Sequence, residues 1–114
     1  MRVETRLQID ILAELDRLGF WGVHVPNGTV LAGDGRQRAI QMNALKRAGL
    51  RVGFPDLIVY GPHGVGHIEV KPEGEYANDT QMEVEDKLTA WGQRYAVCRS
   101  VLDVRETLEG WGWL

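Results

Sequence analysis

Gly53-Phe54-Pro55-Asp56-Leu57-Ile58-Val59-Tyr60, then Gly61-Pro62-His63-Gly64, then Val65-Gly66-His67-Ile68-Glu69-Val70-Lys71, is the stretch whose reading decides the fold. Two short runs rich in β-branched and apolar residues flank a Gly-Pro-His-Gly punctuation, which predicts a β-hairpin with strands over 56–60 and 65–71. Pro55 lacks a ladder donor and suits the start of a strand. Side chains alternate along a strand, so Glu69 and Lys71 share one face with His67, while Ile68 and Val70 take the other. Counting back across the turn places Asp56 opposite about residue 69. Two carboxylates side by side repel, and a bound cation is the simplest way to make that tolerable. An isolated Glu-x-Lys is also compatible with a surface ion pair.

Working outward, residues 3–18 read as an amphipathic helix, with Leu7, Ile11, Leu12, Leu15 and Leu18 at helical spacing and Gly19 beyond its end. At about 100° per residue, Ile11 and Leu15 fall within about 20° of Glu4, so this carboxylate lies in line with the apolar stripe. A metal or its water shell is one partner for it; the positive end of its own helix is another. Phe20–Val25 reads as a strand closed by Pro26-Asn27-Gly28, and 28–35 as a loop. A second helix is expected over 37–48. Thr80 and Glu83 suggest a capping box at the start of a third, Tyr95–Arg99 another strand, and Ser100 with Asp103 the start of a last helix ending before Gly110. The order predicts one domain over 1–114, an α/β sandwich with a small mixed sheet flanked by helices. The strand–helix–strand unit from 65 to 99 is expected to cross over right-handedly, with its strands parallel.

The chain has 114 residues, 44% apolar and 25% charged, with a net charge of −3. That is the composition of a globular domain, and it argues against non-specific coating of nucleic acid. No apolar run approaches the roughly 20 residues that cross a bilayer, so no membrane partner is expected. The single cysteine, Cys98, sits in an apolar run and reads as buried, which fits a reducing cytoplasm. Charge is segregated along the sequence. Arg36, Arg38, Lys46, Arg47 and Arg51 fall in a stretch from 36 to 55 without an acidic residue. From Glu69 to Asp86 there are seven acidic residues and one lysine. The basic segment suits either phosphate contacts or the solvated face of an ordinary helix. The tail Trp111-Gly112-Trp113-Leu114 reads either as an interface or as packing on its own core.

Glu4, Gly53-Phe54-Pro55-Asp56, Glu69-Val70-Lys71 and Gln81 together resemble a PD-(D/E)XK nuclease. More narrowly, the chain from about Glu4 to Ser100 is similar to the stand-alone VRR-NUC domains of phages and bacteria. The resemblance implies a restriction-endonuclease-like core and an endonuclease that hydrolyses phosphodiester bonds in DNA with Mg²⁺ or Mn²⁺. It implies a metal on Asp56, Glu69 and the carbonyl of Val70, with Glu4 supporting it directly or through water. Lys71 would orient or deprotonate the attacking water, and Gln81 would help position the site. It implies a homodimer acting on Holliday junctions or other branched DNA, in a bacterial cytoplasm and of bacterial or phage origin. In the mechanism this suggests, Arg36, Arg38, Lys46 and Arg51 hold the flanking backbone. The loop after Lys71 departs from that pattern in being acidic (Glu73, Glu75, Asp79). A non-catalytic DNA-binding or protein-interaction module that kept the nuclease fold is the alternative.

Overall fold

The computed structural model describes residues 1–26 and 31–114. The Asn27-Gly28 turn and the first part of the loop expected over 28–35 lie outside the described residues. The elements run α1 (Val3–Arg17), β1 (Trp21–His24), α2 (Gly35–Arg47), β2 (Leu57–Gly61), β3 (Gly64–Val70), α3 (Asp79–Ala90), β4 (Arg94–Cys98) and α4 (Val101–Gly110). The sheet order is β1-β2-β3-β4, with β1, β2 and β3 antiparallel and β4 parallel to β3. This is the expected small mixed sheet flanked by helices.

The hairpin gains one pair at its tip and loses one residue of each strand at its base, so both strands keep their expected lengths. Gly61 pairs with Gly64, which leaves Pro62-His63 as a two-residue connection rather than a four-residue turn. The register is unchanged: Leu57 faces Ile68, and Asp56, just outside β2, therefore comes opposite Glu69.

One face of the sheet carries the core. Leu57, Val59, Ile68, Val70 and Cys98 meet Ile11 and Leu15 of α1 and Val104 and Leu108 of α4, all fully buried. Each such aliphatic side chain contributes about 1.5–3 kcal/mol of burial. Cys98 is the buried residue its surroundings implied. Burial pushes its thiol up to about 11, and its Sγ lies 3.6 Å from Thr107 Oγ1, which is no setting for a nucleophile.

The tail belongs to this core, so the interface reading of its tryptophans is replaced. Trp113 is 5% exposed and stacks on Phe20 at 5.6 Å, with the Arg94 guanidinium over its ring at 5.3 Å. Trp111 packs edge-on against Trp113 and lies over Gly66, where any Cβ would overlap its ring.

Helix starts differ from expectation in one instructive place. The capping box of α3 is Asn78 with Gln81, not Thr80 with Glu83. The Asn78 side chain accepts from the Gln81 backbone N–H at 2.9 Å, and Gln81 Oε1 accepts from the Asn78 N–H at 3.0 Å. The same device, Asp34 with Gln37, starts α2 two residues before its expected beginning. Ser100 caps α4 as anticipated. No side chain of α2 is buried. The radius of gyration is 15.2 Å, above the about 13 Å typical of this length. Among the described residues, no helix is long and apolar enough to cross a membrane.

Candidate active site

Asp56 sits at the mouth of β2, held by its neighbours on both sides. Its carbonyl accepts from the Val25 N–H at 2.8 Å, and its Oδ2 accepts from the Val70 N–H at 2.8 Å. Gly53 sets up the approach to it. Its φ of +85° is the left-handed region that favours glycine, and a Cβ there would lie 2.8 Å from the carbonyl oxygen of Thr80. The capped start of α3 is therefore seated directly on the turn that leads into Phe54-Pro55-Asp56. Gln81 belongs to this capped start of α3. Its described hydrogen bonds go to Asn78, and none joins it to Asp56, Glu69 or Lys71.

Glu69 is the unusual residue. It lies between two core residues of β3 and is only 2% exposed. Among the described residues its Oε2 has no hydrogen-bond partner. Burial, then a hydrogen bond and charge repulsion from Asp56, push its carboxyl up to about 9, with Lys71 opposing and Glu4 adding to the rise. A hydrogen bond between two carboxyl groups requires one of them to carry a proton. Raised to about 9, the Glu69 carboxyl keeps its proton at neutral pH, with its Oε2 left over. A buried polar atom without a partner calls for an explanation, and an ion at the site is one.

Glu4 belongs to the same cluster. Its carboxyl is raised first by burial and next by Asp56, and again by Glu75, while Lys71 and Arg2 lower it. Lys71 is half-buried, anchored by its N–H to the Cys98 carbonyl at 3.1 Å, and its charge reaches both Glu4 and Glu69. The four residues that helix phase and strand parity pointed to are therefore one electrostatic unit. Glu4 and Asp56 line an open cleft with Arg2, Thr5, Gln8, His24 and Pro26.

The donor set fits a hard divalent cation: carboxylate oxygens, one of them orphaned, beside an open cleft. The Val70 N–H is turned toward Asp56, and in an extended strand the carbonyl of the same residue faces the same edge. Among the described residues, no three His, Cys, Asp or Glu side chains are gathered tightly enough to hold an ion as they stand. Binding would have to draw the carboxylates together as it displaces the Glu69 proton.

Two neighbours escaped the sequence reading. Tyr95 lies on the site face of β4, and burial, Glu69, Glu85 and Asp56 all raise its phenol, keeping it a neutral hydrogen-bond donor. Arg99 clamps the acidic loop after Lys71: its Nη1 donates to the carbonyls of Pro72 at 2.8 Å and Glu75 at 2.7 Å, and its guanidinium lies over the Tyr76 ring at 5.3 Å. Two of the histidines stand near these residues. His67, expected beside the site, points its Nδ1 at the Arg94 carbonyl at 2.9 Å and meets the edge of Phe54. His24 is the one at the cleft, with its Nδ1 3.0 Å from the Asp56 carbonyl.

The basic residues do not converge on one point. Lys46 and Arg51 line a surface groove with Lys87 and Glu83. Arg36 and Arg38 stand toward the other end of α2, about 12–15 Å from Lys46 by helical rise, and Arg38 Nη1 donates to the Gly33 carbonyl at 3.0 Å.

A model of the family described as the VRR-NUC domain matches residues 4–102, a span that includes the whole cluster from Glu4 to Lys71. Two solved structures share the fold. One, "VRR_NUC domain", superposes with a TM-score of 0.64 at 23% identity, covering 93% of this chain and 94% of that one. The other, "VRR_NUC domain protein", gives a TM-score of 0.72 at 22% identity, covering 96% of this chain and 88% of its own. No curated protein matches the sequence. The match spans most of the chain, and the chain belongs to the VRR-NUC family of nuclease domains.

Proposed function

We propose that this chain is a divalent-cation-dependent endodeoxyribonuclease, selective for Holliday junctions or other branched DNA and working as a homodimer. The observation that carries the reading is Glu69, a buried carboxyl with an unpartnered oxygen beside Asp56 in a nuclease-family domain. Asp56, Glu69 and the carbonyl of Val70 would hold Mg²⁺ or Mn²⁺, with Glu4 at the cleft side. When bound, the cation supplies Lewis acidity toward water and neutralises charge on a phosphate.

The chain's own residues do the remaining work. Lys71 shares the strand face of Glu69, so its ammonium donates hydrogen bonds to the attacking water and to a phosphate oxygen as negative charge grows there. The water oxygen bonds to phosphorus while the ester P–O bond opposite breaks, and the proton lost by the water is balanced by one taken up at the leaving alkoxide. Glu69, seated between Ile68 and Val70, is held rigidly by core packing. Arg36, Arg38, Lys46 and Arg51 hold the flanking backbone at separate places, which favours reading shape over reading bases. A two-fold dimer would present two sites to a symmetric branched substrate.

Asp56→Ala and Lys71→Ala, assayed on nicked, flapped and four-way DNA with Mg²⁺ or Mn²⁺, are expected to lose about 10²–10³-fold in cleavage rate. Full cleavage by either variant contradicts the assignment. Light scattering on the intact chain tests the dimer.

A further inference from the structure

Two surface grooves meet along α3. One carries Lys46, Arg51, Glu83 and Lys87. The other, of about 560 Å³, is lined by the apolar Phe54, Val84 and Leu88, by the cations Arg51 and Lys87, and by Trp91. Arg51, Val84 and Lys87 belong to both, so the two form one continuous groove. Helix phase explains its chemistry. At about 100° per residue, Val84, Lys87 and Trp91 fall within about 40° of Thr80, while Glu85 and Asp86 turn more than about 100° away. Most of the acidity of α3 therefore faces elsewhere, and Glu83 is the one carboxylate among the described residues that line the groove.

The groove's cations are uncompensated within the chain. Among the described residues the ion pairs join Glu14 to Arg17 and Arg105, and none takes up Lys46, Arg51 or Lys87. Trp91 is 69% exposed, with Lys87 Nζ 5.8 Å from its ring centroid. One exposed tryptophan alone is ordinary. An exposed indole among uncompensated cations suits a single nucleic-acid strand, whose bases stack on the ring while its phosphates meet the charges. The groove also adjoins the acidic cluster. Phe54 runs directly into Pro55-Asp56, and Gly53 is seated against the Thr80 carbonyl.

We propose that Trp91, Lys87 and Arg51 form a subsite for an unpaired nucleotide, the base lying on the Trp91 ring and its flanking phosphates on Arg51 and Lys87. The occupant is a single-stranded segment of the DNA substrate, which a fully paired duplex arm does not offer. The proposal rests on the reading of the chain as a DNA nuclease.

The test is fluorescence anisotropy of the intact chain with a labelled oligothymidine strand and with an abasic strand of the same length, in EDTA so that nothing is cut. Trp91→Ala should weaken oligothymidine binding about 5–150-fold, while Trp91→Phe keeps most of it and Trp21→Ala, which removes an equally exposed indole on β1, keeps all of it. On the abasic strand, wild type and Trp91→Ala should bind alike, because only stacking is lost. Lys87→Gln should weaken both strands and lower the salt slope of log affinity by about 0.7. Equal oligothymidine binding by wild type and Trp91→Ala overturns the subsite. So does an equal loss on both strands, which would mark a purely structural or electrostatic role. Cleavage of branched DNA by the wild type alongside either result leaves the nuclease reading standing. Trp91-dependent strand binding by a wild type that cuts no DNA in Mg²⁺ or Mn²⁺ overturns the nuclease reading and supports the subsite.

Discussion

The two faces of β3 use the same burial for opposite ends. Ile68 and Val70 turn into the α1/α4 core, fully buried and packed on all sides by aliphatic neighbours. Glu69, between them and nearly as deeply buried, turns to a pocket where its closest charged companion is another carboxyl. The first face yields stability; the second holds an ionisable group in burial deep enough to keep it neutral. The difference teaches how the site is held: the core on one face keeps the strand from moving to relieve the strain on the other.

That comparison can be broken from either side. The largest effect on folding should come from the packed face. Ile68→Ala is expected to cost about 2–5 kcal/mol, read by urea denaturation, and a cost under about 1 kcal/mol would mean that β3 is not clamped as described. The opposite face should show the reverse sign. The Glu69 carboxyl is raised from 4.5 to about 9, so its proton-linked stability is fully present below its ordinary value and is lost as pH rises through about 9. The cation-free wild type should therefore melt at progressively lower temperature between those limits. Glu69→Gln should flatten that slope and melt higher at alkaline pH while failing to cleave DNA, and an unchanged slope would contradict the buried-acid assignment. The smallest effect belongs to the seat of the site. Gln81→Ala removes half a capping box and should cost about 0.5–2 kcal/mol, with a loss of cleavage larger than the loss of fold if α3 positions Gly53 and Asp56.

Much of this was legible in the sequence because the governing periods are short and local. Strand parity needs only alternation, so Glu69 and Lys71 could be placed on one face without a structure. The Asp56–Glu69 register survived a misjudged turn, since lengthening a hairpin by one pair at its tip leaves every later pair in place. Helix phase placed Glu4 with Ile11 and Leu15. What escaped depends on contacts distant in sequence or on competing local signals. Asn78-x-x-Gln81 and Thr80-x-x-Glu83 both match a capping box, and only the folded chain shows which one forms. The tail tryptophans look sticky until Phe20 and Gly66 arrive to receive them. His24 gave no signal because its partner is a backbone carbonyl across the β1–β2 ladder, a group with no side-chain signature. Arg99 likewise acts on the carbonyls of Pro72 and Glu75, 27 and 24 residues away.

The central claim is that the buried, raised carboxyl of Glu69 stands beside Asp56 in a place built for a cation. Its most direct test is the thermal shift produced by Mn²⁺ in the cation-free wild type and in Glu69→Gln, measured side by side at alkaline pH without DNA. A ligand that binds only the folded state at about 100 times its Kd stabilises it by about 2.7 kcal/mol. The account predicts a clear rise in Tm for the wild type and little or none for Glu69→Gln. Equal shifts in both proteins, or no shift in the wild type, would contradict it.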